Sequence, residues 1–192
     1  KRLGPIHETL FERIHNVSVT GHLYNVAHTS KGLPPHNDFA SYKAQPSVQA
    51  LHMLENECEG GESIIVDSFR LLNDFKEDHP KFFNILAEEP LIKCKNNGLV
   101  ESFRFSNQLM QMINPLRKGI NDFYKAFHEL SSRIYDHKYR CKFRLNSGEV
   151  LIVASHRVLH AREAFVPNGK RHLQDAYFVY DNAANNIVLL SN

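Results

Sequence analysis

The stretch LPPHNDF at residues 33–39 and the segment RVLHAR at residues 157–162 decide how this chain is interpreted. Two prolines hold the first stretch extended, and side chains alternate along an extended backbone, so His36 and Asp38 should face the same side. A third candidate ligand, His160, lies in the second segment. Two imidazoles and one carboxylate can bind one face of a six-coordinate Fe(II) and leave the opposite face open.

The pattern therefore predicts a metal site formed by His36, Asp38 and His160. In the alternative interpretation His36 caps a loop and His160 is hydrogen-bonded in the core. Residue spacing alone does not decide between the two. The order of the motifs along the chain favours the metal site.

Arg171 lies eleven residues beyond His160 and opens the largely apolar segment RHLQDAYFVYD at residues 171–181. A guanidinium can pair with a carboxylate through two hydrogen bonds, and a buried one needs an anionic partner. This favours a role for Arg171 in holding the far end of a dicarboxylic acid, over that of a surface cation beside Lys170. Arg162 is a weaker candidate, either for a carboxylate close to the metal or for a structural ion pair.

Composition limits the function classes. A chain of 192 residues fits one domain, and its 23 basic and 21 acidic residues are interspersed. Neither a nucleic-acid footprint nor a polybasic membrane segment is present in the sequence, and no apolar run approaches the ~20 residues that span a bilayer. Three widely spaced cysteines favour a reducing, cytoplasmic compartment. Because the chain starts at Lys1, a targeting signal cannot be read.

The hydrophobic pattern predicts many short strands and a few helices. Strands are expected over residues 16–20, 47–55, 63–67, 91–95, 99–106, 139–145, 150–154, 158–165 and 171–181. Helices are expected over residues 7–15, over 68–75, after Pro80 and from Asn114 to Ile134, where Leu116 begins an apolar stripe. The pattern indicates a mainly β fold with flanking helices, a sandwich or barrel of jelly-roll type.

On these motifs the chain resembles the γ-butyrobetaine dioxygenase and taurine dioxygenase family of Fe(II)- and 2-oxoglutarate-dependent oxygenases. The matching stretches are KRLG, NVAHTSKGLPPHND, PSVQALHMLENECEGGESIIVDSF, LNSGEVLIVASHRVLHAR and RHLQDAYFVYD. The resemblance implies a double-stranded β-helix, a cupin-like jelly roll, with Fe(II) bound by His36, Asp38 and His160. It also implies that Arg171 binds the C5 carboxylate of 2-oxoglutarate, with Ser63 assisting.

The resemblance also implies a substrate pocket. At positions where relatives hold a trimethylammonium group in an aromatic cage, this chain has Phe11, His15, His28 and Tyr177. At positions where they contact the substrate carboxylate, it has Asn25 and Asn107. Two histidines make a poor cation cage, because a protonated imidazole repels a cation. We therefore expect a small zwitterionic or carboxylate-bearing substrate other than butyrobetaine. Alternatively, the histidines are partly exposed loop residues.

The expected function is a dioxygenase that oxidises, and most simply hydroxylates, an unactivated C–H bond, using Fe(II), 2-oxoglutarate and O₂ and releasing succinate and CO₂. A cupin-type metal-binding jelly roll would not need Arg171, and an inactive binding module would not need intact ligands. Asp38 argues against a halogenase, which leaves that ligand position vacant. We expect residues 1–192 to form a single catalytic domain, shorter than the relatives upstream and near residues 90–91. The expected partner is a small molecule, not nucleic acid or membrane, and the relatives imply a homodimer as an option.

Overall fold

The computed structural model describes residues 3–18, 26–89, 91–108, 114–179 and 181. Within these residues the helices are α1 (Ser68–Asp78), α2 (Pro80–Ala87) and α3 (Ile120–Ile134). The strands are β1 (His15–Ser18), β2 (Leu33–His36), β3 (Val48–Asn56), β4 (Glu59–Gly60), β5 (Ser63–Asp67), β6 (Ile92–Cys94), β7 (Val100–Phe103), β8 (Arg140–Phe143), β9 (Val150–Ala154), β10 (Val158–Arg162), β11 (Phe165–Val166) and β12 (Arg171–Phe178).

Two four-stranded sheets form the body of the fold. Their strand orders are β1-β12-β3-β9 and β2-β10-β5-β8, and every described pairing in them is antiparallel. Neighbouring strands in both sheets are distant in sequence, as expected when a chain winds back and forth between two sheets. The mainly β, double-stranded β-helix fold predicted from the sequence is confirmed.

The three helices cover the outer face of the second sheet. Asp67 caps α1, because its carboxylate accepts hydrogen bonds from the backbone N–H groups of Phe69 and Arg70. The apolar sides of the helices pack with Val66 of β5 and Leu159 of β10 in the larger of two hydrophobic clusters. Side chains alternate along β10, so the burial of Leu159 under the helices turns His160 towards the other sheet. No helix in the described parts of the chain is both long and apolar enough to cross a membrane.

The elements in the N-terminal part and before α3 differ from the prediction. The helix expected over residues 7–15 does not form; residues 7–14 contain turns and isolated bridges, one of which pairs His7 with Tyr177. The long helix begins at Ile120 rather than Asn114, after Gly119 with a φ of 84°. Leu116 is therefore 91% exposed and is not part of the apolar stripe. A local hydrophobic pattern cannot show which of its residues finds a packing partner.

The strand β9 lies where it was predicted but is not a buried strand. It forms the edge of the first sheet, and Val150 and Ile152 on its outer face are about half exposed, while Val153 is buried. The hairpin of β6 and β7 and the helix α2 also form, with shorter bounds for the strands than predicted.

Candidate metal centre

A cavity of about 460 Å³ lies between the two sheets. Residues of β3 and β12 line it from the first sheet, and residues of β2, β5 and β10 line it from the second. Its size falls within the range of roughly 300–1,000 Å³ that is usual for small-molecule sites.

The structure brings the three predicted metal ligands together in this cavity. His36 ends β2, and its Cα pairs with that of His160 across the β2–β10 ladder. Asp38 follows two residues later, in a turn beyond the strand. The Nε2 atom of His36 lies 3.4 Å from Oδ1 of Asp38, and Nε2 of His160 lies 3.6 Å from Oδ2. One ligand atom from each residue lies within 4.8 Å of the others, so all three can reach a single ion.

Hydrogen bonds fix how His36 presents its ring. Its Nδ1 lies 2.9 Å from the carbonyl oxygen of Pro34, which can only accept a hydrogen bond. Nδ1 therefore carries the proton, and the lone pair of Nε2 is directed towards the cluster. In His160 the buried Nδ1 has no partner among the described residues, while Nε2 again faces Asp38.

The charges in the cluster suit a divalent cation. Burial alone would raise the pKa of Asp38, but the charges of His160 and His36 and its hydrogen bonds hold that pKa far below its usual value. Burial and the charge of His36 lower the pKa of His160 to about 4. Burial alone would also lower the pKa of His36, but the hydrogen bond and charge of Asp38 outweigh it and raise the pKa. The cluster thus offers an ionised carboxylate beside a neutral imidazole, which fits Fe(II) as the bound metal.

Asn37 anchors the backbone between two of the ligands. Its buried amide donates hydrogen bonds to the carbonyl oxygens of Phe103, at 2.6 Å, and Ser155, at 3.1 Å. Its own oxygen accepts one from the N–H of Phe105 at 2.9 Å. The next residue after Asp38, Phe39, has a φ of 55°, which is uncommon for a side chain of this size. These contacts hold the turn in the conformation that places Asp38 opposite the histidines.

Arg171 lies in the same cavity without an anionic partner. It opens β12, is 9% exposed, and its guanidinium lies 5.2 Å from the ring centroid of Phe165. In the described residues its buried Nε has no hydrogen-bond partner, and no carboxylate forms a salt bridge with it. Burial lowers its pKa, as expected for a cation whose charge the folded protein does not neutralise.

Arg162 is also buried and lines the cavity, but most of its donors are occupied. Its guanidinium donates hydrogen bonds to the backbone carbonyls of Ala27, Thr29 and Lys31, at 3.0, 2.7 and 2.6 Å. These contacts give it a structural role, holding the loop before β2, and leave it as an additional positive charge near Arg171. Burial and the charge of Arg171 lower its pKa to about 10. Ser63 faces Arg162 across the β5–β10 ladder and also lines the cavity.

Some of the predicted substrate residues line the cavity, and others do not. Phe11, His15 and Tyr177 line the cavity, with the rings of Phe11 and His15 stacked at 4.5 Å. His28 is buried beside His15, at 5.4 Å between ring centroids, and its Nδ1 lies 3.2 Å from the carbonyl oxygen of Ser18. His28 is not among the residues that line the cavity. His28 is buried and His15 is half-buried on β1; their role in substrate binding stays a prediction.

Of the two predicted asparagines, the structure describes only Asn107. Asn107 is exposed, and its neighbours Ser106 and Gln108 line the cavity in its place. Residues 107 and 108 form a turn, and Asn107 is not among the described residues that line the cavity. Asn25, and Pro90 beside the expected shorter loop, lie outside the described residues.

Sequence reasoning missed two polar residues in the cavity, Gln49 and Asp175. Along β12 the inward side chains are those of residues 171, 173, 175 and 177, which are buried, whereas 172, 174 and 176 are less so. Counting in twos from Arg171 would have placed Asp175 on the same face. For Gln49 the signal is the same alternation in β3, where it is paired with Tyr177.

Comparison with known proteins finds a family model, relatives in sequence and structures of the same fold. The family model of the taurine catabolism dioxygenase TauD, TfdA family matches residues 1–97 and 86–177. The γ-butyrobetaine dioxygenases of Pseudomonas sp. (strain AK-1) and Homo sapiens are 28% and 26% identical, over 99% and 94% of this chain. The chain covers 54% and 53% of their lengths, about half of each. The crystal structure of an asparagine oxygenase shares the fold, with a TM-score of 0.68 and 19% identity over 92% of this chain and 60% of that one.

Proposed function

The chain belongs to the TauD/TfdA dioxygenase family, and from that premise we propose that it is an Fe(II)- and 2-oxoglutarate-dependent dioxygenase. One observation carries the proposal: a His-Asp-His cluster faces the same cavity as a buried arginine that has no anionic partner among the described residues. A cupin-type jelly roll with other chemistry would have no need of the second feature.

His36, Asp38 and His160 would hold the metal by Nε2, a carboxylate oxygen and Nε2. When bound, Fe(II) and 2-oxoglutarate supply the activation of O₂ that oxidises a C–H bond, with release of succinate and CO₂. The role of the protein is to orient these groups. Arg171 binds the far carboxylate of 2-oxoglutarate through its guanidinium, and Ser63, which lines the same cavity, assists.

The apolar walls of the cavity exclude water around the reacting carbon. Phe39, 5% exposed, contacts Phe11, Tyr42 and Tyr177, with ring centroids 6.1, 4.7 and 4.9 Å away. This group of rings, which we call the aromatic wall, lies on the side of the cavity next to Asp38. Water exclusion strengthens the electrostatic contacts inside the site and suppresses side reactions.

The substrate is a small metabolite that carries a carboxylate or is zwitterionic, and the outcome is hydroxylation. This part of the proposal is supported by the positive charge of Arg162, which lines the cavity in addition to Arg171. The names of the relatives point to the same class, since butyrobetaine and trimethyllysine are both zwitterionic molecules. The single catalytic domain over residues 1–192 and the homodimer both stay predictions.

The proposal is tested by succinate release. The protein is incubated with Fe(II), ascorbate, 2-oxoglutarate and a panel of small zwitterions, amino acids and phosphonates, and the products are analysed by mass spectrometry. A substrate should increase succinate formation and gain one oxygen atom. The His160→Ala variant should lose this activity, and His128→Ala, which replaces an exposed histidine on α3, should retain it. Equal succinate formation in His160→Ala and the wild type would contradict the proposal.

A further inference from the structure

Three buried polar side chains form a cluster against Asp38. Gln49 lies on β3, and Asp175 and Tyr177 lie on β12; they are 1%, 5% and 3% exposed. The β3–β12 ladder pairs Gln49 directly with Tyr177, so the three side chains meet on the inner face of one sheet. None of them is one of the three metal ligands, and burying three polar groups together needs a reason.

The hydrogen bonds of this cluster converge on one carboxylate oxygen. The amide of Gln49 donates to Oδ2 of Asp38 at 2.7 Å, and the hydroxyl of Tyr177 donates to the same oxygen at 2.8 Å. Asp175 lies behind both donors. Its Oδ1 is 3.1 Å from Nε2 of Gln49, and its Oδ2 contacts the Tyr177 hydroxyl.

The number of available protons explains how the hydrogen bonds of this cluster can form at the same time. The amide of Gln49 has two hydrogens, so it can donate to both carboxylates at once. The hydroxyl of Tyr177 has one hydrogen, and donating it to Asp38 leaves the phenolic oxygen facing Oδ2 of Asp175. That contact is favourable when the proton between them belongs to Asp175. Burial and the charge of Asp38 raise the pKa of Asp175 to about 7, which agrees with this arrangement.

The consequence for Asp38 is that its two oxygens differ. Oδ2 accepts two hydrogen bonds, which use its in-plane lone pairs. Oδ1, 3.4 Å from Nε2 of His36, stays available to a cation. Groups that orient a metal ligand in this way typically contribute about 10- to 100-fold to metal affinity.

We propose that Asp175 is a positioning residue for the metal-binding carboxylate: it orients Gln49 and Tyr177 so that they saturate Oδ2 of Asp38 and leave Oδ1 to the metal. The inference rests on the proposed function, because it requires that Asp38 binds Fe(II). It also gives Tyr177 a role towards Asp38 in addition to its place in the cavity wall.

The test compares Asp175→Ala, Asp175→Asn and the control Gln174→Ala. Gln174 is the neighbouring residue on the other face of β12, where its amide contacts Asn16. The Fe(II) dissociation constant is measured anaerobically by the visible band that forms with saturating 2-oxoglutarate. Asp175→Ala should bind Fe(II) about tenfold more weakly or worse, because Gln49 and Tyr177 lose their common acceptor.

Asp175→Asn should remain close to the wild type. Its carbonyl oxygen can accept from Gln49 and its amide can donate to the Tyr177 oxygen, so it reproduces the hydrogen bonds of a protonated Asp175. If Asp175 only stabilised the fold, its variants would change the melting temperature, and Asp175→Asn would not restore the Fe(II) affinity that Asp175→Ala loses. Gln174→Ala should match the wild type in both measurements.

Wild-type Fe(II) affinity in Asp175→Ala, or equal weakening in Asp175→Ala and Asp175→Asn, would overturn the inference. If Asp175→Ala does not fold, Tyr177→Phe removes only the hydroxyl, and its Fe(II) affinity must fall for the inference to stand. A wild-type protein that binds no Fe(II) would refute the proposed function and this inference together. Tight Fe(II) binding by the wild type and by Asp175→Ala would refute the inference alone.

Discussion

Replacement of Arg171 by methionine, which has a similar length but no charge, should weaken 2-oxoglutarate binding strongly. Arg171 is 9% exposed, so a carboxylate bound to its guanidinium would be largely desolvated. Each hydrogen bond to a charged group contributes about 1.5–3 kcal/mol, and a paired guanidinium–carboxylate contact has two. Allowing for the remaining positive charge of Arg162, we expect a loss of about 3–4 kcal/mol, or roughly a 100- to 1,000-fold increase in Kd.

Isothermal titration calorimetry measures this loss directly, with Mn(II) in place of Fe(II) to avoid oxidation. Arg171→Lys keeps the charge but not the planar pair of donors, so its affinity should lie between those of Arg171→Met and the wild type. Arg70→Met, which replaces an exposed arginine on α1, should bind 2-oxoglutarate as the wild type does.

The stability of Arg171→Met separates a binding role of Arg171 from a structural role. A buried cation without an anionic partner destabilises the fold, and burial lowers the pKa of Arg171 for the same reason. Without 2-oxoglutarate, Arg171→Met should therefore unfold at a higher denaturant concentration than the wild type, with a gain of about 1 kcal/mol or more. Unchanged 2-oxoglutarate affinity in Arg171→Met, or a clear loss of stability, would refute the assignment of Arg171.

Three further predictions concern the surroundings of the site. Asn37→Ala should lower the free energy of unfolding by about 3 kcal/mol or more in chemical denaturation, because three buried backbone partners lose their hydrogen bond. Gly61→Ala should lower stability by roughly 1–3 kcal/mol and weaken 2-oxoglutarate binding, since Gly61 has a φ of 68° and its added Cβ would lie 3.4 Å from Nε of Arg171. Hydrogen bonding to Arg157 lowers the pKa of Asp67 below its unfolded value of 3.8. The Asp67–Arg157 pair therefore stabilises the protein above that pH, and this stabilisation is lost as the pH falls through the folded pKa. Asp67→Asn should remove this part of the pH dependence of unfolding.

Each of these predictions has a contradicting result, and the Gly61 prediction also has a matched control. Wild-type stability in Asn37→Ala would show that these hydrogen bonds do not hold the turn. Unchanged 2-oxoglutarate affinity in Gly61→Ala would show that the approach of Arg171 to residue 61 is unimportant, and Gly148→Ala, at another positive φ but with open space around it, controls for backbone strain alone. An acid unfolding profile that is identical for Asp67→Asn and the wild type would remove the Asp67–Arg157 pair from the account.

Much of the fold and the metal ligands could be predicted because the relevant signals are local. The prolines before His36 hold an extended backbone, and the apolar alternation around His160 indicates a strand, so two ligands could be placed on strands. Asp38 in fact lies in the turn after β2. Its position depends on Asn37, whose partners are 66 to 118 residues away in sequence, and no local pattern carries that information.

The cluster of Asp175 and Gln49 against Asp38 could not be predicted from the sequence. Alternation assigns a polar residue such as Asp175 or Gln49 to one face of its strand, but it does not show which groups on other strands that residue meets. Only the pairing of β3 with β12 brings the two together and towards Asp38. The helix expected over residues 7–15 failed for a related reason, since pairing of His7 with Tyr177 ties that segment to the sheet.

The central claim is that His36, Asp38 and His160 bind one Fe(II) whose remaining positions accept 2-oxoglutarate. Anaerobic addition of Fe(II) and 2-oxoglutarate to the wild-type protein tests it most directly, by the weak visible charge-transfer band of the complex. We expect a band that saturates at one Fe(II) per chain and is absent in Asp38→Ala. Folded wild-type protein that gives no band, or an Asp38→Ala variant that gives the same band, would contradict it.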